Sequence, residues 1–368
     1  MERRRTLDGD GDLELQIRQL IEAAGGSPHA EFLEGMIRSV LRLIKNQTSR
    51  GDVKILNASL RELIYAFRVF GPYRGIRKVT MFGSARTPED TPEYRQAVDF
   101  ARAVSARGWM VMTGAGEGIM KAGHDGAGRA GSFGLNIRLP FEQSANAVIQ
   151  NDAKLITFRY FFTRKLLLVK ETDAIALFPG GFGTMDETFE ILTLIQTGKS
   201  NPVPVVCLDR PGGDYWIAWD HYVRTALLGR GLISPADRHL YRVTDRLEEA
   251  VEEVLRFYRN YHSIRFVDDR LVMRVQQAPS PEALERLNAE FQDILVRDRI
   301  RTSPALPEEA NETSLAALPR LVFYFNRRDI GRLRQLIDAV NGLPVAAETA
   351  EAAPAGRPAG GPRTDPLV

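Results

Sequence analysis

Residues 173–198, DAIALFPGGFGTMDETFEILTLIQTG, leave few folds open to the chain around them. Ala174, Ile175, Ala176, Leu177 and Phe178 form a continuous apolar run, as expected of a strand buried on both faces of a parallel sheet. A Pro179-Gly180-Gly181-Phe182-Gly183 turn follows. Met185, Phe189, Leu192 and Ile195 then recur at helical spacing until Gly198 stops the pattern. Strand, glycine turn and helix together make an anion site. The first amides of a helix have no partner within it and carry the positive end of its dipole, and glycines let a phosphate approach them.

The same residues have a plainer reading. Thr184 followed by Glu187 fits a capping box, with Thr184 as N-cap and Glu187 reaching back to its amide. Against it stands the crowding of Asp186 and Glu187 beside an anion-seeking nest, costly unless one carboxylate serves another purpose.

The flanking pattern sets the class. Apolar runs at 79–85, 109–120, 132–140, 155–158 and 202–209 alternate with helical patterns at 92–107, 121–130, 160–171, 215–228 and 247–258. Such alternation implies right-handed parallel crossovers and an α/β fold with a Rossmann-like, doubly wound parallel sheet. Ligands in these sheets bind at the carboxyl ends of the strands, where three glycine turns fall: FGSAR, TGAGEG and PGGFGT. The middle turn resembles a dinucleotide fingerprint, but the acidic ribose-binding residue expected about 20 residues on is missing from SFGLNIR. Three turns on one edge fit a mononucleotide better.

Helical patterns at 13–24, 30–45 and 59–70 make residues 1–77 an N-terminal helical extension, with disorder expected up to about residue 10. In the second pattern Phe32, Met36, Val40 and Ile44 sit four apart, so that face needs a packing partner: the following domain, a second copy, or a regulatory contact. Residues 78–260 form the Rossmann-like domain. Beyond it a hairpin at 262–275 turning at Asp268-Asp269, a helix at 281–295, a strand at 320–325 and a helix at 328–337 read as a small α+β appendage over 261–343. Arg297, Arg299, Arg301, Arg327 and Arg328 there read as a solvated face. From 344 the chain is Ala, Pro and Gly with few apolar anchors, as in a disordered tail.

PGGFGTMDE resembles the PGGxGTxxE signature of the LONELY GUY family of cytokinin-activating phosphoribohydrolases, often labelled lysine decarboxylases. A second family element, a helix carrying an Arg-Lys pair, is matched by FFTRK, with Arg164 and Lys165. The plant-type pattern has Met and Glu where this chain has Phe161 and Thr163. The resemblance spans roughly residues 78–260 and is nearest to the longer bacterial members. It implies hydrolysis of the base–ribose bond of a nucleoside 5′-monophosphate, AMP or a cytokinin riboside 5′-monophosphate, to free base and ribose 5-phosphate. It also implies a catalytic Glu187 near the anomeric carbon, Arg164 orienting the substrate, and phosphate on the amides of Gly181, Gly183 and Thr184. Gly83, Ser84 and Arg86 of the first turn, Gly114, Gly116, Gly118 and Met120 of the second, and Lys165, Gly180, Phe182, Asp186 and Thr193 complete the implied substrate site. Read from the residues alone, Arg164 and Lys165 either snorkel to the rim of an apolar helix or aim at an anion. The alternative is a non-catalytic nucleotide or molybdenum-cofactor carrier of the same fold. Family members resemble dimers, so a homodimer or higher homo-oligomer is implied.

Other classes are disfavoured. The formal charge of +2 points to neither nucleic acid nor an acidic membrane surface. No apolar run is long enough to span a bilayer, and the basic start MERRRTLDGDGDLEL lacks a signal-peptide core. One cysteine, Cys207, allows no internal disulfide, so a cytoplasmic setting is expected. The five histidines show no ligand spacing, and neither metal nor cofactor is implied.

Overall fold

The computed structural model describes residues 9–138 and 144–344; the disorder expected for residues 1–8 and for the tail from 345 lies outside them. The chain divides into two compact units, Met1–Leu63 and Ile64–Val368. In the first, α1 (Gly9–Ala23) is closed by Gly25 and Gly26 at φ 107° and 69°, a backbone that L side chains resist. Helix α2 (Ala30–Lys45) keeps its expected bounds. Helix α3 (Arg50–Phe70), which runs across the division, starts earlier than residue 59 because Ser49 caps it, its hydroxyl accepting the Asp52 amide at 3.2 Å.

The second unit is built on seven short strands: β1 (Lys78–Phe82), β2 (Met110–Thr113), β3 (Ser132–Ile137), β4 (Leu155–Phe158), β5 (Ala174–Leu177), β6 (Val205–Leu208) and β7 (Arg242–Thr244). All their pairings are parallel, in the order β4-β3-β2-β1-β5-β6-β7. Helices α4 (Pro92–Ser105), α5 (Ile119–Ala127), α6 (Phe161–Lys170), α7 (Phe182–Gln196) and α8 (Tyr215–Tyr222) fall between them in the chain, and α9 (Leu247–Arg256) follows β7. The expected α/β class holds. One face is sealed by Val79, Met81, Val111, Ala176 and Val206 of the strands against Phe100 and Val104 of α4, Ala122 of α5 and Val254 of α9. On the other face the Thr80 hydroxyl donates to the Leu168 carbonyl at 3.2 Å, seating α6 against β1.

Three expectations are corrected here. The strands expected at 79–85 and 109–120 stop at Phe82 and Thr113, where Gly83 and Gly114 open turns. The helix expected over 215–228 ends at Tyr222 and continues as a π turn, Val223–Leu227. Strand β7 has only the residues Arg-Val-Thr, too short to show a period.

A second, antiparallel sheet follows in the order β10-β11-β9-β8: β8 (Tyr261–Val267), β9 (Arg270–Val275), β10 (Leu295–Ser303) and β11 (Arg320–Phe325). Helices α10 (Pro281–Glu290) and α11 (Ile330–Asn341) accompany it. The helix expected to reach 295 stops at Glu290, and the arginine-rich segment after it is the edge strand β10. Its exposed arginines hid the alternation that marks a strand, while suiting an edge that must not pair further. Among the described residues no helix is long and apolar enough to cross a membrane.

What positions the site is the strand order. The chain steps from β1 outward to β4, then returns to place β5 on the other side of β1. The crevice at that switch point opens beyond the carboxyl ends of β1 and β5.

Candidate active site

A cleft of about 830 Å³ lies at this switch point. The turn after β1 supplies Gly83, Ser84 and Arg86 to its wall, the turn after β2 supplies Gly114 and Met120, and α6 supplies Phe161 and Arg164. The turn after β5 and the first turns of α7 supply Gly180, Gly181, Phe182, Gly183, Thr184, Asp186 and Glu187. Backbone bonds lock the turns together. The Ser84 amide donates to the Pro179 carbonyl at 3.1 Å, and the Ile119 amide to the Ser84 carbonyl at 3.0 Å.

The capping-box reading of Thr184 and Glu187 is overturned. Helix α7 begins at Phe182 with Gly181 as its N-cap, and no side chain caps it. Thr184 is therefore already helical, and Glu187 lies one turn in. The amides of Phe182, Gly183 and Thr184 have no intrahelical acceptor.

The glycines separate into two kinds. A Cβ at Gly180 would fall 2.1 Å from Thr184 Oγ1 and 3.0 Å from the Ser84 amide nitrogen, so packing excludes a side chain there. A Cβ at Gly181 or Gly183 would meet nothing within 4 Å, and neither residue has positive φ. Nothing in the protein requires glycine at these two positions, and glycine inside a helix costs up to about 1 kcal/mol against alanine. Their bareness leaves the amide face open to a ligand.

Glu187 and Arg164 face one another across the cleft, Glu187 Oε1 lying 3.9 Å from Arg164 NH2. That is an ion pair without a hydrogen bond. Glu187 is buried and Arg164 partly so, and neither Glu187 Oε2 nor Arg164 Nε, both shielded from solvent, has a hydrogen-bond partner. Burial pushes the Glu187 carboxyl up to about 7, with Lys165 and Arg164 pulling it back only in part. Burial also draws the Arg164 guanidinium below its ordinary range, with Glu187 opposing. Unsatisfied buried charges are expensive, and a perturbed pair in a cleft marks a site prepared for a substrate.

Four of the anticipated site residues are not in the cleft wall. Burial acts to lower the Lys165 ammonium, but its pairs with Asp186, at 2.6 Å, and with Glu190 outweigh this and raise it. Lys165 thus braces α6 on α7 and occupies Asp186. Thr193 is exposed farther along α7. Gly116 packs against Met120, and Gly118, at φ 62°, brings the second turn onto the first: a Cβ there would lie 2.3 Å from the Ser84 carbonyl oxygen.

Two supports escaped the sequence reading. The Tyr215 hydroxyl donates to the Gly180 carbonyl at 2.6 Å. Under the second turn, Asn146 Nδ2 donates to the carbonyls of Ala115 and Gly116 at 3.1 and 2.9 Å, holding Ala115 at φ 63°. Asn146 is fixed in turn by the buried His124, whose Nε2 faces the Phe133 carbonyl at 3.1 Å and whose Nδ1 faces Asn146 Nδ2 at 3.1 Å. Burial lowers the His124 pKa and favours the neutral ring. Asn146→Ala should lower unfolding free energy by about 1–3 kcal/mol in denaturant titration, because the Gly116 carbonyl loses its side-chain donor and the Ala115 carbonyl keeps only the backbone amide of residue 146. The described residues hold no cluster of His, Cys, Asp or Glu suited to a metal, and Cys207 is buried in β6.

Residues 120–254 match a family model described as possible lysine decarboxylase. The cytokinin riboside 5′-monophosphate phosphoribohydrolase of Mycobacterium tuberculosis is 28% identical over 170 residues, 45% of this chain and 88% of that protein. A probable cytokinin riboside 5′-monophosphate phosphoribohydrolase of Oryza sativa subsp. japonica is 25% identical over 185 residues, 49% of this chain and 76% of that protein. The likeness is to LONELY GUY phosphoribohydrolases, and it covers just under half of this chain. The segment matched by the family model carries Arg164, Glu187 and the whole glycine turn after β5. Among solved structures, the molybdenum cofactor carrier protein of Chlamydomonas reinhardtii aligns with a TM-score of 0.34 at 19% identity, over 49% of this chain and 96% of that chain. So distant a likeness says nothing of a ligand.

Proposed function

We propose that the protein hydrolyses the N-glycosidic bond of a nucleoside 5′-monophosphate, AMP or a cytokinin riboside 5′-monophosphate, releasing free base and ribose 5-phosphate. The observation that carries this reading is a buried Glu187, half unpartnered and raised to about 7, one helical turn beyond an amide face that Gly181 and Gly183 leave bare. Phosphate binds the amides of Phe182, Gly183 and Thr184, anchoring the ribose over the cleft. Binding energy from that remote group is used to hold C1′ against the carboxylate. As the C1′–N bond breaks, its electron pair leaves on the base and the sugar becomes cation-like. The Glu187 carboxylate stabilises that charge and takes a proton from the water whose oxygen bonds to C1′; the departing base takes up one proton from solvent, and Glu187 returns its own to solvent, so the hydrolysis balances. A group titrating near the working pH suits such a base. Arg164, always charged, orients the substrate and does not donate the proton. Asp186, tied to Lys165, is not free to do so either. Phe161, half-exposed on the wall, offers a surface for the base. A passive carrier would have no use for a buried carboxylate at this point.

The test is to incubate the protein with AMP and with adenosine and to follow free adenine by chromatography. AMP should be cleaved, and adenosine, lacking the phosphate, should be cleaved at least about a hundredfold more slowly in kcat/KM. kcat/KM for AMP should rise with pH through an apparent pKa near 7, as Glu187 ionises. Equal rates on both substrates would remove the anion site from the account, and no adenine from either would remove the activity.

A further inference from the structure

The Arg164 guanidinium is placed by packing and by attraction to Glu187. Among the described residues it makes no hydrogen bond, since its Nε has no partner and Glu187 Oε1, at 3.9 Å, is out of hydrogen-bond reach. It has two walls. One is the Phe161 ring, with its centroid 5.3 Å from the guanidinium carbon; the other is the second glycine turn, where a Cβ on Gly114 would fall 3.6 Å from Arg164 NH1. Phe161 is half-exposed, so the fixed wall is the turn.

That turn is clamped from beneath. Ala115, next to Gly114, has φ 63°, a left-handed backbone that residues bearing a Cβ avoid. It persists there because each of its groups is engaged. The Ala115 amide donates to the Thr113 hydroxyl at 3.0 Å, its carbonyl accepts from the Asn146 amide at 2.9 Å and from Asn146 Nδ2 at 3.1 Å, and its methyl packs with Ala145 and Ile149. One buried ring ties both clamps together: His124 Nε2 lies 3.0 Å from the Thr113 hydroxyl, and Nδ1 lies 3.1 Å from Asn146 Nδ2. The Phe133 carbonyl can only accept, which sets the proton on Nε2 and leaves Nδ1 to accept from Asn146. Thr113, Ala115, His124 and Asn146 are all buried, and none of them lies on the cleft wall. A strained residue so fully held by its surroundings points to a role for the turn it shapes.

We propose that Thr113 and Asn146, locked by His124, are positioning residues: through the strained Ala115 they hold Gly114 as the wall that keeps the Arg164 guanidinium facing Glu187. This rests on the reading of the cleft as a reaction site, and adds to it residues that never meet the substrate. With NH1 against Gly114 and NH2 toward Glu187, a relaxed turn lets the guanidinium, which lacks hydrogen bonds, retreat toward water. Glu187 registers that retreat. Burial raises its carboxyl to about 7 against the pull of Lys165 and Arg164 on α6, while Glu190 and Asp186 on α7 add to the rise. Lys165 stays tied to Asp186 and Glu190, so loss of the Arg164 pull sends the carboxyl higher.

The experiment titrates Glu187 directly, by NMR of the side-chain carboxyl carbon in the full chain labelled at glutamate, with the signal assigned by its loss in Glu187→Gln. In Asn146→Ala and in Thr113→Val, each of which removes one clamp, the carboxyl should titrate higher than in the native protein, and kcat for AMP should fall about tenfold or more, as expected when an orienting group is displaced. Thr113→Val keeps the side-chain volume and carries the test if Asn146→Ala does not fold. His124→Leu should act in the same direction, and His124→Gln, able to donate to Phe133 and accept from Asn146, should restore native behaviour. A Glu187 carboxyl that titrates as in the native protein, or lower, in the folded variants would overturn the proposal and leave a clamp that serves stability alone. If native protein leaves AMP intact while the variants still move the titration, hydrolysis is removed from the account and the positioning stands.

Discussion

Glu187→Gln will lower kcat/KM for AMP by about three orders of magnitude, the loss typical of removing a charge that acts in the transition state. The same change will make the protein more stable above neutral pH. In the folded protein the Glu187 carboxyl is raised from its ordinary 4.5 to about 7. Between those values the native state holds more protons than the unfolded chain, so stability falls as pH rises through the window, and the whole penalty is present above it. A shift of this size corresponds to about 3 kcal/mol, already net of the attraction from Lys165 and Arg164. Glutamine carries no charge to desolvate. The two proteins should therefore unfold alike near pH 4, diverge between pH 5 and 7, and differ by up to about 3 kcal/mol at pH 8 in denaturant titration. A carboxylate retained for structure would give the reverse, a variant weaker at every pH.

Gly183→Ala and Gly180→Ala will move stability in opposite directions. At Gly183 an added Cβ meets nothing within 4 Å, and the backbone is helical, so alanine should stabilise by up to about 1 kcal/mol. It places a methyl beside the amides proposed to receive the phosphate, and KM for AMP should rise about tenfold or more while adenosine is affected little. At Gly180 the new Cβ falls 2.1 Å from Thr184 Oγ1, and the first turn of α7 must move to admit it, at about 1–3 kcal/mol. The contrast assigns the two kinds of glycine: one closes the turn on its helix, the other keeps the entrance clear. Thermal unfolding and initial rates on the two purified variants check both halves.

The centre of the fold was legible because its signals are local. The run from Ala174, the glycines after it and the spacing from Met185 to Ile195 place β5, its turn and α7 with no reference to the rest of the chain. What the sequence obscured depends on contacts between distant residues. Whether Thr184 caps α7 turns on where the helix starts, and that was settled by Gly180 packing under Thr184 and against the turn after β1. His124 and Asn146 stand 22 residues apart and show no spacing that links them; their tie exists only once β3 and the second turn are side by side. The Arg-Lys pair of α6 has one motif and two destinations, since Arg164 enters the cleft and Lys165 is spent on Asp186 and Glu190. Neighbouring residues on a helix point about 100° apart, so pairing in sequence never implied pairing in role.

The most direct test is a crystal of the Glu187→Gln variant soaked with AMP, where substrate should persist uncleaved. The phosphate oxygens should lie within hydrogen-bond reach, roughly 2.7–3.2 Å, of the amides of Phe182, Gly183 and Thr184, with C1′ facing the side chain at position 187. A nucleotide seated elsewhere, with those amides bare and the side chain at 187 turned back to the start of α7, would contradict the account.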